Sequence, residues 1–560
     1  MRRCYPNLGS FALVTLVSFL LRVNAATIQD NANRGDYSKR QTCQRTKVAI
    51  LGAGIAGITT AQALSNNSIT DFLILEYKGH IGGRVHSALF GTGPHGKPLV
   101  IEYGANWIQG LGRPETRENP IWTFVSYNNG YYNILTYNET GPADFSEEIE
   151  AFEEALERME ERAGEILKDN RQDPTVRTGL SLIGWKPSQR DYPAASDAVE
   201  WWLYDGEQAV TPEDSSLVFN AAVSNFTFVQ FSNENNFVID QRGHRAWIEG
   251  EASTFLSRGD KRLLFNTIVE RIEYGQDGVV VTTRNGSCVQ ADYAVCTFSL
   301  GVLQNSQLES TNNSKLKNAT NLQRANAVKF KPELPEWKKT AIETFEIGVY
   351  TKIFMQFPYT FWPADKEFFL YADPYERGWY PIWQSLDVKG FFPGSHILFV
   401  IVTGDQSYRI ENMKDEETLE EVMDVLQSMF PGVDIPQPLA FTYPRWSDIP
   451  WAYGSFSVWP PGTTLEMHEN LRANVSRLWF TGEHTSASYF GYMQGAWFEG
   501  RDAGNRIAGL INGTCGGDAA KGEYGERVSY DDLHGTTPES EYNTKNGWDE
   551  EGYREFGKRG

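Results

Sequence analysis

Residues 349–357, VYTKIFMQF, have the pattern of a strand, because β-branched and aromatic residues fill most positions. Lys352 lies at the centre of this apolar run. A lysine on a strand usually extends its ammonium group towards solvent. The pattern therefore predicts a buried or half-buried strand in which Lys352 either reaches water or is held inside for a functional reason.

A second pattern covers residues 46–76. KVAIL predicts a strand, GITTAQAL predicts a helix, and DFLILE predicts a second strand that ends at Glu76. Gly52, Gly54 and Gly57 lie between the first strand and the helix, at the spacing that permits a tight turn, the approach of a pyrophosphate and close helix packing. The helix N-terminus would bind the phosphates, and Glu76 would bind the ribose. The segment predicts a dinucleotide-binding unit of the α/β class.

The remaining periodic segments predict an acidic helix at 144–169, a helix at 334–345 and a last helix at 491–511. The Asn-rich stretch 307–327 predicts a surface loop. Residues 516–560 are rich in Gly, Glu, Asp and Lys, so we expect a disordered acidic tail there.

Length and charge narrow the class of protein. A chain of 560 residues is too long for one ordinary core, so two domains are expected. The formal net charge of -21 argues against a nucleic-acid partner, which requires a basic face. The charge would attract small cations weakly, or it serves solubility alone.

The N-terminus predicts a targeting segment. Residues 1–25 read as a secretory signal, because Arg2 and Arg3 precede an apolar run that is too short to span a membrane. Residues 26–40 end in a dibasic pair, and they are either a propeptide or an uncleaved arm. The sequence thus predicts a secreted protein without a membrane anchor.

Sequons and cysteines agree with an oxidising compartment. Eight Asn-x-Ser/Thr triplets are candidates for glycosylation, namely Asn66, Asn138, Asn225, Asn285, Asn312, Asn318, Asn474 and Asn512. Cys43 and Cys515 flank the folded body and are open to pairing across its two ends. Cys288 and Cys296 lie in strand-like sequence and could equally be small buried residues. We find no spacing typical of a zinc or redox motif and expect no metal.

Four blocks of sequence together resemble flavin-dependent amine oxidases, and within that family the secreted polyamine oxidases. They are ILGAGIAG with ILEYKGHIGGRVHS, EYGANWIQG, VYTKIFMQFPYTFWP, and GSFSVWPPG with LWFTGEHTSASYFGYMQGAWFEG. The first block alone indicates only an FAD or NAD fold, whereas the last block and the Gly-Gly-Arg run are much more specific. The resemblance covers residues 47–513.

The resemblance implies a Rossmann-like FAD-binding domain and an α+β substrate-binding domain with a mixed sheet and helices. The expected FAD-binding segments are 46–122, 237–304 and 472–513. The substrate-binding segments are 123–236 and 305–471. Some family members attach the flavin covalently through a cysteine before the last helix, but TSASYFGYM contains none. Non-covalent FAD is therefore expected.

The resemblance also assigns residues to the cofactor. Gly83 and Arg84 follow the acidic residue, and Arg84 would bind the pyrophosphate. The backbone of Val269 would read the adenine, and Glu483 would bind polar groups of the FAD chain. A helix that starts near Gly491 would point its positive dipole end at the flavin and favour its reduced anion.

For catalysis, the matching lysine in similar enzymes contacts flavin N5 through a water, so Lys352 is the expected catalytic residue. Phe456 and Tyr492 match the aromatic pair around the substrate nitrogen. Trp107, Tyr350 and Trp446 would line the pocket, where aromatic faces attract a cationic amine.

The sequence departs from polyamine oxidases at two positions. Two residues after GANW, where polyamine oxidases have a carboxylate, this chain has Gln109. A loose alignment places Asn220 where those enzymes have a second carboxylate. Neutral amides replace two charge contacts, which puts polyamine as substrate in doubt. Four other acidic residues are candidates to replace these charges, namely Glu115, Glu118, Glu234 and Asp240, although a structural role is expected for Asp240 in VIDQRGH.

The implied reaction passes hydride from an amine to FAD. Water hydrolyses the imine to an aldehyde and a smaller amine, and dioxygen reoxidises the flavin to give hydrogen peroxide. The expected partners are a small amine and dioxygen. Two alternatives stay open, namely oxidation of another amine, such as an amino acid or an alkaloid, and a secreted flavoprotein without turnover.

Overall fold

The structure is a computed structural model. It describes residues 43–112, 118–121, 127–128, 134–168, 171–224, 227–228, 231–232, 234–307 and 321–513. The predicted signal, propeptide and acidic tail lie outside these ranges, as do the sequons at Asn225, Asn312 and Asn318.

The largest sheet has eight strands. They are β1 (Gln44–Leu51), β2 (Phe72–Leu75), β10 (Leu263–Leu264), β11 (Val269–Gly275), β12 (Gly278–Thr283), β13 (Cys288–Cys296), β14 (Lys329–Lys331) and β22 (Leu478–Phe480). The order is β10-β2-β1-β13-β12-β11-β14, with β22 also paired to β13. The sheet draws on the three predicted FAD-binding segments, and β14 adds a strand from the segment predicted to bind substrate.

The start of this sheet confirms the predicted strand, glycine turn, helix and strand. Helix α1 (Ile55–Asn66) connects β1 to its parallel neighbour β2, and all four residues of β2 are buried. Helix α14 (Met493–Ile511) packs closely along α1. A side chain in place of Gly500 would put its Cβ 2.3 Å from the Ala56 carbonyl oxygen, so the glycine permits the two helices to approach each other closely.

A second sheet has seven strands. Its strands are β7 (Ile134–Asn138), β8 (Gly141–Ala143), β16 (Tyr350–Gln356), β17 (Phe368–Tyr371), β18 (Ile382–Ser385), β19 (Ile397–Thr403) and β20 (Ala440–Thr442). The order is β20-β16-β19-β18-β17-β7-β8. The strand predicted around Lys352 is confirmed as β16, which lies between two antiparallel neighbours.

Short strands complete the β structure. They form three small sheets, namely β3 (Ser87–Phe90) with β4 (Leu99–Glu102), β9 (Asn235–Val238) between β5 (Trp107–Gln109) and β6 (Tyr127–Asn128), and β15 (Glu346–Gly348) with β21 (Phe456–Val458). These strands bring GANW and GSFSV, which are far apart in sequence, close to the two large sheets.

The helices include the three predicted from periodicity, which appear as α2, α10 and α14. The remaining bounds are α2 (Ser146–Lys168), α3 (Val176–Leu182), α4 (Pro193–Glu200), α5 (Gly206–Gln208), α6 (Leu217–Ser224), α7 (Ala246–Ser253), α8 (Leu300–Asn305), α9 (Asn321–Asn326), α10 (Glu336–Thr344), α11 (Gly404–Glu411), α12 (Asp415–Met429) and α13 (Leu465–Arg472). The predicted loop at 307–327 is wrong at its end, where α9 forms. Within the ranges described, no helix combines the length and apolar character needed to cross a bilayer.

The disulfide pattern corrects the sequence expectation. Cys43 bonds to Cys288, across 245 residues of sequence, whereas Cys296 is a free buried thiol. Cys43 directly precedes β1 and Cys288 begins β13, and the parallel register of these strands places their first residues side by side. The pairing of β1 with β13 therefore determines that Cys288 is the disulfide partner of Cys43. The positions of the cysteines in the sequence do not reveal this pairing. Cys515 lies outside the described residues.

Candidate active site

One large cavity extends from the glycine turn after β1 to strand β16. Its empty space is about 2010 Å³ when its opening to solvent is counted. Gly52 and Glu76 lie at one end, and Lys352, Phe456 and Tyr492 lie at the other. The structure thus brings residues from both large sheets to one continuous site.

The glycine turn is shaped for a close ligand. Gly52 has a φ of +118°, a conformation that favours glycine, and a Cβ there would lie 2.4 Å from Thr297 Oγ1. At Gly57 a Cβ would lie 2.0 Å from the Gly52 carbonyl oxygen, so this glycine serves helix packing and does not line the cavity. At Gly54 a Cβ would lie 3.8 Å from the Gly83 Cα, which is an ordinary contact distance without a clash.

Glu76 is buried beside the turn. Its carboxylate accepts hydrogen bonds from the backbone N–H groups of Ala53, at 2.7 Å, and Lys78, at 2.8 Å. Burial raises the pKa of Glu76, while these two N–H groups oppose the rise. A carboxylate has further acceptor positions, so Glu76 can also accept hydrogen bonds from ribose hydroxyls.

Arg84 and Glu483 form an ion pair in the cavity wall. Arg84 Nη1 lies 2.9 Å from Glu483 Oε1 and 2.8 Å from the Ser455 carbonyl oxygen. Glu483 Oε2 accepts from the N–H of Gly491 at 2.9 Å. Burial opposes ionisation of Glu483, but the Arg84 guanidinium holds its pKa below the usual value. Gly491, with φ of +80°, precedes the helix, which begins at Met493.

Lys352 faces the cavity from the middle of β16 and is 3% exposed. Its Nζ donates to the carbonyl oxygens of Gly104, at 2.6 Å, and Glu102, at 3.3 Å. Burial lowers the pKa of Lys352 to about 7, and the nearby Glu102 carboxylate opposes the shift. Lysine is therefore held inside by two carbonyl groups and does not extend to bulk solvent.

The five predicted aromatic residues all line this cavity, namely Trp107, Tyr350, Trp446, Phe456 and Tyr492. The ring centroids of Tyr350 and Phe456 are 6.2 Å apart, and the Trp107 ring meets Phe237 edge-on at 5.0 Å. The aromatic faces give the cavity beside Lys352 a mainly apolar wall that can hold an amine.

Several of the predicted site residues lie outside the cavity lining. Gln109 lines the cavity from β5, but Asn220 does not, because it is buried on α6 and donates to the Ser216 carbonyl oxygen. Val269, at the start of β11, is also outside the lining. Glu118, Glu234 and Asp240 do not line the cavity, and Glu115 lies outside the described residues.

Glu207 is a carboxylate of the cavity that sequence reasoning missed. It lines the cavity from α5, and its Oε1 accepts a hydrogen bond from the Tyr492 hydroxyl at 2.9 Å. Burial raises the pKa of Glu207, and the hydrogen bond opposes the rise. The two residues are 285 positions apart, so no local pattern joins them. The only local signal is the aromatic run WWLY that precedes Asp205.

These residues fit an FAD molecule. The glycine turn and the first turn of α1 offer backbone N–H groups, Arg84 offers a charged fork, and Glu76 offers acceptors for a ribose. A flat ring and a substrate would lie at the aromatic end, which Lys352, Phe456 and Tyr492 line. Donors and acceptors are thus distributed as a dinucleotide with a flavin ring requires.

Comparison with known proteins agrees with this assignment. A family model described as flavin containing amine oxidoreductase matches residues 55–508. Polyamine oxidase 7 of Oryza sativa subsp. japonica is 37% identical over 476 residues, which cover 81% of this chain and 93% of that protein. Polyamine oxidase 1 of Zea mays is 34% identical, with 88% and 95% covered.

Solved structures show the same fold. A mutant of putrescine oxidase, from work on the redesign of its cofactor binding, superposes with a TM-score of 0.62 at 15% identity, and the match covers 84% of this chain and all of that one. The predicted α/β fold class is thereby confirmed.

The fold and the site define a flavoprotein oxidoreductase. The chain belongs to the flavin-containing amine oxidoreductase family, and it is an FAD-dependent amine oxidase. The predicted family, enzyme class and cofactor are confirmed.

Proposed function

We propose that the protein is a secreted oxidase of amines that carry more than one ammonium group, of the polyamine class. The observation that carries this proposal is Glu207, a carboxylate in an aromatic cavity close to Tyr492. An acidic group in a desolvated site attracts a cationic chain much more strongly than an amide does. Glu207 thus supplies a charge that Gln109 does not.

The reaction divides between cofactor and protein. FAD, bound without a covalent link, would supply the acceptor for a hydride from the carbon next to the amine nitrogen, and dioxygen would take up the electrons to give hydrogen peroxide. Phe456 and Tyr492 hold the amine between aromatic faces, and Glu207 orients the chain through a distal ammonium group. Orientation of this kind lowers the barrier because the reacting atoms are held together.

Lys352 controls protons and water near the reacting end. Its Nζ is fixed by the carbonyl oxygens of Glu102 and Gly104, and its pKa of about 7 allows both protonation states near neutral pH. A positioned amine of this kind can hold a water by a hydrogen bond and accept or return a proton. We assign it the positioning of a water at the reacting end, where the hydrogen bonds of Lys352 and this water assist reduction and reoxidation of the cofactor and the same water hydrolyses the product imine.

An amino acid is a less suitable substrate. A carboxylate substrate needs a cationic partner, and Arg84 is the only arginine among the lining residues that the structure describes. It is paired with Glu483 and lies where the cofactor phosphates are expected. Glu207 would in addition repel a substrate carboxylate.

The first experiment is anaerobic reduction of the flavin. Under nitrogen, spermidine should bleach the yellow protein, air should restore the colour, and peroxide should form in proportion to the amine consumed. Simple monoamines should bleach it at higher concentration. If monoamines bleached the flavin at the same concentrations as spermidine, the polyamine proposal would be contradicted.

The variant Lys352→Met tests the assigned catalytic residue. We expect it to retain bound FAD and to slow flavin reduction or reoxidation at least about tenfold, because the positioned hydrogen-bonding group is gone. Stopped-flow absorbance measures both half-reactions. Wild-type rates in both would contradict the role of Lys352.

Secretion is supported by the Cys43–Cys288 disulfide and by exposed sequons at Asn66, Asn285 and Asn512. Expression in a eukaryotic secretory host should deliver the protein to the medium, with a mass that falls on treatment with an N-glycosidase. Retention inside the cell without glycans would contradict this part of the proposal.

A further inference from the structure

A buried ion-pair network lies directly behind the turn that carries Glu207. Arg377 and Arg177 reach the carboxylates of Glu200 and Asp205, which are 0% and 2% exposed. Two guanidinium groups thus hold the two buried carboxylates, and Arg177 also binds the more exposed Glu213. Networks of this kind are costly to break, because each lost partner leaves an unpaired buried charge.

Arg377 binds Asp205 through two parallel hydrogen bonds. Its Nη1 donates to Oδ2 and its Nη2 donates to Oδ1, both at 2.6 Å, and Nη2 also donates to Glu200 Oε1 at 2.8 Å. Arg177 instead binds Glu200 and Glu213. Since a bidentate pair fixes direction as well as distance, Arg377 sets the position of Asp205.

Asp205 ends an irregular turn of helix. Residues Trp201–Asp205 form a π-helical turn between α4 and α5, and α5 ends at Gln208, directly before Ala209, whose φ is +60°. Glu207 follows Asp205 by two residues. In a segment of this length the direction of the Glu207 side chain depends on where Asp205 is held, and π-helical turns are frequent at functional sites.

The loop of Arg377 packs on the same turn. A Cβ added at Gly378 would lie 2.8 Å from Nε1 of Trp201, so the loop backbone is in close contact with the first residue of the π-helical turn. This loop follows β17, whose Phe368 lines the cavity. The turn is therefore held at both ends by one loop of the second sheet.

We propose that Arg377 is a positioning residue for substrate specificity, which fixes Asp205 and the π-helical turn so that Glu207 points into the cavity towards a distal ammonium group. Arg377 does not touch the substrate, and its effect passes through Asp205. The inference rests on the proposed function, because it assigns how the polyamine-recognising carboxylate is held.

The test compares Arg377→Lys with Arg177→Lys in the FAD-loaded enzyme. Lysine retains the charge in both but removes the bidentate geometry, and only Arg377 contacts Asp205. We measure kcat and KM for spermidine, and the inhibition constant of dibutylamine, a secondary amine without terminal ammonium groups, as a competitor. Flavin absorbance and the melting temperature report on folding.

We expect R377K to raise the KM for spermidine about tenfold with kcat within about twofold, because binding of the distal ammonium is lost before the chemical step. The inhibition constant of dibutylamine should not change. R177K should alter neither value, and E207Q should reproduce the selective effect of R377K. If R377K does not fold, Asp205→Asn is the second variant, with the same expectation.

Three results would overturn the inference. The first is an unchanged KM for spermidine in both R377K and D205N while E207Q raises it. The second is a rise in both constants together, or an equal rise in R177K, which would show that the network supports only the fold. The third is a wild-type enzyme without preference for spermidine, which also removes the proposed function and is visible without any variant.

Discussion

At the residue scale, charge inside the cavity decides which amine fits. Gln109 and Glu207 both line the cavity, and only one of them is acidic. Lys352 is a further ionisable group at the aromatic end, and burial lowers its pKa to about 7. Single substitutions at these positions therefore change specificity or pH dependence without a change of fold.

Gln109→Glu should improve the binding of longer polycations. A second carboxylate in a desolvated cavity would contact an ammonium group that Gln109 meets only as a neutral amide, and we expect the KM for spermine to fall by about tenfold. Steady-state kinetics with spermine measure this, and Gln109→Met serves as the uncharged control. An unchanged KM would contradict the location of Gln109 beside the substrate chain.

Burial of Lys352 should make the stability of the protein depend on pH between about 7 and 10.5. Its native pKa is lowered from 10.5 to about 7, so between these values the unfolded chain binds a proton that the native protein does not. The free energy of unfolding therefore rises with pH in this window, and the burial of Lys352 destabilises the protein most below pH 7. Relative to Lys352→Met, the wild-type free energy of unfolding should rise between pH 8 and 10 by at most about 1.4 kcal/mol per unit.

Denaturant unfolding of the two proteins at several pH values checks this, and the difference between them cancels the contribution of Lys78, another lysine of lowered pKa. A constant difference across the window would show that Lys352 is not held in a desolvated position.

At the scale of elements, α1 and α14 carry the cofactor end of the site. Helix α1 presents its N-terminus to the cavity, and α14 follows Gly491, which is bound to Glu483. Their close packing depends on small residues at the contact. The position of the glycine turn therefore depends on a helix more than 400 residues later in the chain.

Gly500→Ala should separate these helices. The added Cβ would lie 2.2 Å from Thr59 Oγ1 and 2.3 Å from the Ala56 carbonyl oxygen, which is far inside contact distance. We expect a loss of about 1–3 kcal/mol of stability and weaker retention of FAD. Thermal unfolding and flavin release on dilution measure the two effects.

Gly250→Ala is the matched control, because Gly250 lies in helix α7 with no heavy atom near its Cβ position. Alanine there should leave stability unchanged or raise it slightly, since alanine favours helix. Equal behaviour of the two variants would contradict tight packing between α1 and α14.

At the scale of the whole molecule, the two large sheets form the cavity and the negative net charge attracts cationic substrates towards it. The cavity lies where residues of both sheets meet, and the chain carries a formal net charge of -21. A negative protein attracts a polycation over distances that salt screens. Long-range attraction therefore adds to the local contact with Glu207.

The kcat/KM for spermidine should accordingly fall as ionic strength rises, and it should fall more steeply than the kcat/KM for a monoamine, which carries less charge. Steady-state rates at several salt concentrations measure the two slopes, with Glu207→Gln as the variant that removes one local charge. Equal slopes for both substrates would exclude electrostatic attraction as a factor in substrate capture.

The sequence by itself determined the parts of this protein that local pattern encodes. The glycine turn with Glu76, the strand around Lys352 and the long helices follow from periodicity and residue type, and the four motif blocks indicated the family and FAD. These features are local because a strand, a turn or a helix depends mainly on residues within a few positions of each other.

Only the tertiary structure decided which distant residues meet. It paired Cys43 with Cys288 through the register of β1 and β13, and it brought Glu207 to Tyr492 while it left Asn220 outside the cavity. It also determined that Lys352 is held by carbonyl groups of another segment. The physical reason is that burial and long-range contacts depend on how the elements pack, which no short stretch of sequence contains.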